Sequence, residues 1–395
     1  MVARIRSFLD AHYFEAALGC FWLSFLLLPT AKGVNNVFYA LVALPGLFLV
    51  ARRWRALPWR DVGFLLFLIW LLYGAVVTIA AGRGANLVKD VVYVFLFYSV
   101  LILAVDVSWW RCETLRRVAF WLVLSYVLYS SLYLWLTGAY AFGERIIWLL
   151  ARMEGPIYTS MFLVSLWALA AEDWLARKRY TEMLLAAALL LFCIVQGLQS
   201  RTGLLGFCAV VALLLARWRP RTSVWILAGL AALVTVYLGL AGGIDTLRTW
   251  SFVARGDSMR FEVWSKVLGE LRECGMLFGC GYRYKIHSAL AGYDVPIAHS
   301  HSVFIAQSLF GGLLGLSLLL AMTLWSLIHG WRTSGSWALC LAAGLIMLNF
   351  DGNNLIDNPD ELWLLFHWPL AVLIALNANR GLAYEQAPST PPLKL

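Results

Sequence analysis

The feature that most limits how this chain can fold is its succession of long apolar runs. Val62 to Ala81 contains no charged residue, and about 20 such residues in a helix cross the ~30 Å hydrocarbon layer of a bilayer. Runs of this kind are too many and too long for one soluble core. With 62% hydrophobic and 13% charged residues, most of the chain has lipid as its solvent. The ten-residue alternation of a membrane β-barrel is absent from the sequence, which leaves helices to satisfy the backbone in hydrocarbon. The expected fold class is an all-α integral membrane protein.

Runs and breakers place about twelve transmembrane helices, near residues 13–29, 34–50, 62–81, 88–106, 116–138, 157–176, 181–199, 203–216, 222–241, 302–328, 336–350 and 361–377. Arg4 and Arg6 precede the first, which resembles a signal sequence; the eleven later spans favour an uncleaved anchor. Alternate short loops carry eighteen Lys and Arg on one side and six on the other. The first side is therefore cytoplasmic, and both termini lie there. The chain then divides into helices 1–9 (1–241), a large periplasmic loop (242–301), helices 10–12 (302–380) and a disordered cytoplasmic tail (381–395). The 242–301 loop is then extracytoplasmic, which in a bacterial inner membrane, the location expected here, means periplasmic.

The net charge of +9 is explained by loop arginines obeying the positive-inside rule, and no basic-aromatic groove pattern supports nucleic acid as a partner. Trp59, Trp109, Trp110, Trp174 and Trp218 fall at the ends of apolar runs, as interface anchors in membrane lipid do. Cys20, Cys112, Cys193, Cys208 and Cys340 lie in or beside such runs and read as small hydrophobes. Cys274 and Cys280 flank a turn in the large loop, as a disulfide or as two free thiols.

The polar residues that can carry chemistry gather on the periplasmic side. In the large loop, Asp257 or Ser258 can cap a helix whose Trp264, Val267, Leu268 and Leu271 share one face. Arg260 lies one turn before Trp264, and Glu262, Lys266, Glu270 and Glu273 take the opposite face. Arg201 sits in the short break `QGLQSRTGLLG` between two apolar runs, where a charge is costly unless paired or used. Arg83 and Lys89 are weaker candidates of the same type.

His301 opens a run of about 28 residues, roughly 42 Å as a helix, long enough to require tilt or projection into the periplasm. Ser300 or Ser302 can cap that helix, whose free N–H groups would offer an anion site. Ala306, Gly311, Gly312 and Gly315 read as a small-residue strip for close helix packing. The periplasmic segments hold no D-x-D and no His/Asp cluster with ligand spacing, so no metal is expected. Singly, each candidate also has an ordinary reading, as a snorkelling arginine or a helix-end histidine.

Together they form a pattern. His301-Ser302, nine residues, Gly312, two residues and Gly315 resemble the H-[NSQ]-x9-G-x2-[GTY] motif of the bacterial O-antigen ligase family. `SRTG` at 200–203 and Arg260-x3-Trp264 followed by `LFGCGY` match in the same order. The glycine spacing works from His301 and fails from His299.

The resemblance implies a glycosyltransferase that needs no cofactor. It would move O-polysaccharide from undecaprenyl diphosphate to a hydroxyl of the lipid A-core acceptor, with inversion. It further implies His301 as general base and Arg201 and Arg260 as diphosphate ligands. Asp351 and Asn353, in the loop before the last span, are accessory candidates for binding acceptor sugars, and Asp351 alternatively for pairing with an arginine. O-antigen polymerases and protein O-oligosaccharyltransferases share much of the pattern. A lipid-linked glycan transporter is the non-enzyme alternative.

Overall fold

The computed structural model describes residues 12–151, 153, 155–218, 225, 228–229, 259–290 and 296–385. The span expected at 222–241, the caps at Asp257 and Ser258, and the tail beyond Glu385 lie outside these residues. Those described are helical, without a strand, and one isolated bridge joins Ala289 to Pro296.

The helices used below are α1 (Tyr13–Leu27), α2 (Ala31–Ala56), α3 (Val62–Ala80), α4 (Ala85–Leu103), α5 (Glu113–Leu136) and α6 (Pro156–Ala176). They continue with α7 (Tyr180–Leu198), α8 (Arg201–Arg217), α9 (Arg260–Cys274), α10 (Val303–Thr333), α11 (Gly335–Leu348) and α12 (Trp363–Ala378). Each described run expected to span meets one of them. Five, α2, α3, α5, α7 and α10, are long and apolar enough to cross a membrane; α1, α11 and α12 are shorter apolar helices. The final helix continues to Glu385.

The core forms where helices exclude lipid on every side. α11 has only 14 residues, nearly all buried, and it packs against α6, α8, α10 and α12. At that end of the bundle arginines are ion-paired between helices. The Arg116 guanidinium donates to both Asp173 oxygens (2.8 and 2.6 Å), Arg117 pairs with Glu182 and Arg217 with Glu172. Of the five cysteines read as small hydrophobes, Cys193 and Cys340 are buried, while Cys20, Cys112 and Cys208 face outward.

α10 differs most from expectation. It neither tilts as one rod nor presents a plain glycine strip, because it breaks at Gly312 (φ 63°, ψ −168°). Into the break fits the loop after α9, closed by a Cys274–Cys280 disulfide. Cys280 and Gly281 donate N–H bonds to the carbonyls of Leu309 and Phe310 (2.7 and 2.9 Å). Leu313 and Leu314 donate to Met276 and Leu277 (2.9 and 3.2 Å). The groups freed by the break thus find partners in the loop, as backbone within a membrane protein must.

Two glycines make this approach possible. A Cβ on Gly279 would lie 2.5 Å from the Gly312 nitrogen, and one on Gly312 would collide with the Leu277 backbone. The Gly312 dihedrals also fall in a region almost restricted to glycine. Gly312→Ala should therefore destabilise the fold by at least about 3 kcal/mol, read as a large fall in thermal unfolding temperature in detergent. Gly269→Ala is the control: that position sits in α9 with nothing within 4 Å of an added Cβ, and its change should be neutral or slightly stabilising.

Candidate functional site

Arg201 is the first residue of α8. Ser200 caps that helix, its Oγ accepting from the Gly203 N–H (3.1 Å) and from the Ser160 hydroxyl (2.6 Å). Gln199 precedes it in left-handed conformation (φ 45°), its amide donating to the Gly143 carbonyl (2.6 Å). The turn from α7 to α8 is thus fixed, and Gln199, Ser200, Arg201 and Thr202 from this turn line one cavity.

Arg260 is likewise the first residue of α9. One turn later the Trp264 indole N–H donates to the Ser300 carbonyl (3.0 Å), which ties α9 to the segment carrying His301 and gives the Arg-x3-Trp spacing a physical meaning. The buried face of α9 is Val263, Val267, Glu270 and Leu271. Leu268, expected there, is exposed, and Glu270, expected on the solvent side, is buried. One Glu270 oxygen accepts the N–H groups of His287 and Ser288 (2.9 and 2.6 Å), which fastens α9 to the following loop.

These elements meet around a cavity of about 160 Å³ lined by Arg145, Ile157, Gln199, Ser200, Arg201, Thr202, Arg260 and His301. Three guanidiniums therefore face one small space. Burial pushes the Arg145 and Arg260 pKa values below the ordinary arginine value; Asp351 opposes this and Arg201, a like charge, adds to it. A site with this excess of positive charge, beside a helix N-terminus, suits a bound anion. Ser200, Arg201 and Thr202, at the start of α8, line it. Ser302 does cap α10, accepting from Ile305 N–H (3.4 Å), but its own hydroxyl donates to Asn349 (3.0 Å) and does not line the cavity.

His301 stands at φ 54°, uncommon for a residue other than glycine. Its Nδ1 lies 2.8 Å from Asp351 Oδ1; its side chain is 37% exposed and that of Asp351 6%. A carboxylate only accepts, so Nδ1 carries a proton, and in the neutral ring Nε2 is the nitrogen with the lone pair. Asp351 thus lies behind the imidazole, and its charge also acts on Arg145 and Arg260. His299 lies against the His301 ring, with the rings tilted by 56° and their centroids 3.9 Å apart. Burial and the neighbouring His301 hold the His299 pKa below the usual value, against the pull of Asp351.

The remaining candidates do not reach the cavity. Lys89 pairs with Asp90 (3.7 Å) and lies over the Tyr93 ring, and Arg83 lies over Tyr284 (4.7 Å). Asn353 is half-buried in the Asp351 loop but not among the lining residues. Asp90 also ion-pairs with Arg283, which reaches Asp357 as well (3.1 Å), and this joins α4 to the two loops flanking the site. Arg145 was visible in the sequence only as one more loop cation. No spacing marks it, because it comes from the loop after α5.

Fold and site together define a helical membrane protein with a cationic cavity beside a His–Asp pair. Residues 186–320 match the family model described as O-Antigen ligase, a stretch that holds Arg201, Arg260 and His301. Over 383 residues the chain is 26% identical to the O-antigen ligase of Pseudomonas aeruginosa, covering 91% of this chain and 88% of that protein. The resemblance to the O-antigen ligase family read from the motifs is thereby shown.

Proposed function

We propose that this protein is an O-antigen ligase. In this reading it transfers O-polysaccharide from undecaprenyl diphosphate to a sugar hydroxyl of lipid A-core, with inversion and without a metal cofactor. The observation that carries it is the convergence of Arg145, Arg201, Arg260 and His301 on one cavity, from four separate parts of the chain. The match of residues 186–320, which hold three of these four, to the O-antigen ligase model supports it.

Each group has a role that its geometry suits. The donor already carries a good leaving group, so catalysis reduces to stabilising negative charge on the departing diphosphate and taking a proton from the acceptor. Arginine forks and the α8 N-terminus meet the first need. His301 Nε2 meets the second, with Asp351 fixing the ring and stabilising the imidazolium. The acceptor O–H gives its proton to Nε2 as its oxygen bonds to the anomeric carbon. The bond from that carbon to the diphosphate oxygen breaks, and the electron pair leaves with undecaprenyl diphosphate. Attack opposite the leaving group inverts the anomeric centre.

The membrane arrangement belongs to the same proposal. Twelve spans, both termini in the cytoplasm and the 242–301 loop in the periplasm place the cavity where the polysaccharide is finished. The test is a transfer assay with purified protein, rough-type lipopolysaccharide and a lipid-linked glycan. Product on lipid A-core, undiminished by EDTA, is the expected result. Elongation of the lipid-linked glycan without transfer to lipid A-core would identify a polymerase instead. Activity lost in EDTA and restored by Mg2+ or Mn2+ would refute the metal-independent mechanism.

A further inference from the structure

The chemistry above uses His301 and Asp351 but gives His299 no task. Its Nδ1 is buried without a hydrogen-bond partner, a costly arrangement for a polar atom. One ring nitrogen from each histidine and one Asp351 oxygen all lie within 4.8 Å of one another. The carboxylate arrives from 50 residues away, so no spacing in the sequence could announce the cluster, contrary to the expectation that no such group exists.

Two imidazoles and a carboxylate are a donor set for Zn2+, Ni2+ or Cu2+ more than for Mg2+. Zinc takes such ligands at about 2.0–2.2 Å in tetrahedral array, which sets ligand atoms roughly 3.4 Å apart. Small side-chain rotations bring three groups already within 4.8 Å to that spacing, and the fourth position is left for water or an anion. We propose that His299, His301 and Asp351 form a binding site for a borderline-soft divalent cation such as Zn2+, occupied at the expense of the base function of His301.

The competition follows from imidazole chemistry. If the ion takes Nε2 of His301, the lone pair that would accept the acceptor proton is used. If it takes Nδ1, the neutral ring carries its remaining proton on Nε2. In both cases the acceptor hydroxyl loses its base, and the ring keeps its single proton, on Nδ1 in the first case and on Nε2 in the second. This inhibitory half rests on the proposed transfer reaction; the metal site itself does not.

Full-length protein in detergent, stripped with EDTA and freed of it, is titrated with Zn2+ against a chromophoric chelator. One tight equivalent is expected. His299→Ala and the milder His299→Gln should each weaken it by about tenfold or more, and a large excess of Mg2+ should not displace it. Absence of a stoichiometric site, or binding unaltered in both variants, overturns the proposal. If the variants unfold, modification of His299 and His301 by diethylpyrocarbonate decides: protection by one equivalent of Zn2+ supports the site and lack of protection overturns it. In the transfer assay, stripped protein should be active, fall at least tenfold with one equivalent of Zn2+ and recover with EDTA. Transfer that persists with the site filled overturns the competition. Zinc bound by a protein that transfers nothing supports the site and counts against the ligase reading, so the two can fail separately.

Discussion

Replacing His301 with alanine is expected to lower kcat for transfer by about 10²- to 10⁴-fold, the range over which a positioned general base contributes. KM for the lipid-linked donor should change little, because the groups assigned to the diphosphate are arginines. Asp351→Asn tests the other half of the pair. An asparagine amide can donate to Nδ1, which would move the ring proton to Nε2 and leave the base in the wrong tautomer. A fall of at least about tenfold is expected, with a ceiling near the 10⁴-fold seen when an orienting carboxylate is lost in Ser–His–Asp enzymes. Both variants should keep the wild-type unfolding temperature to within a few degrees, since His301 is more than a third exposed and Asp351 can keep hydrogen-bonding as asparagine. Near wild-type transfer by His301→Ala would remove the histidine from the mechanism.

How much of this could be read before the fold is known depends on the range of the signal. Helices in lipid are announced by local composition, and every described apolar run becomes a helix close to its expected limits. Arg201, Arg260 and His301 are legible because each sits in a short motif. Asp351 and Arg145 are not, because their importance lies in what they approach from other loops. The glycines show the intermediate case. Their spacing marks Gly312 and Gly315, but spacing cannot say whether a glycine admits a neighbouring helix or a break. The answer depends on `LFGCGY`, whose residues 277–281 fill the break. The same limit applies to Glu270, whose periodicity suggests solvent. Hydrogen bonds from the following loop, the His287 and Ser288 N–H groups among them, make its burial tolerable.

Removing any one of the cavity arginines should cost transfer heavily while leaving the fold as stable as before, and that combination separates a binding role from a structural one. Arg201→Ala and Arg260→Ala are each expected to reduce kcat about 10²- to 10³-fold, as loss of a preorganised donor to a developing anion does. Arg145→Ala should behave like them if the three act as one site. Lysine at these positions keeps the charge but loses the two-pronged contact with phosphate oxygens, so it should restore only part of the rate. An arginine held in place for stability would lower the unfolding temperature when removed. Here the sign runs the other way. At Arg145 and Arg260 burial is the main cost, ahead of the attraction of Asp351 and the repulsion of Arg201, so deleting either guanidinium relieves a desolvation penalty. The unfolding temperature should stay level or rise, the usual trade when a site is built for a ligand at the expense of the fold. Added inorganic pyrophosphate should stabilise the wild type by mass action and the alanine variants less. A variant that loses stability in step with activity, and gains as much from pyrophosphate as the wild type, would show that its arginine serves the fold and not the diphosphate.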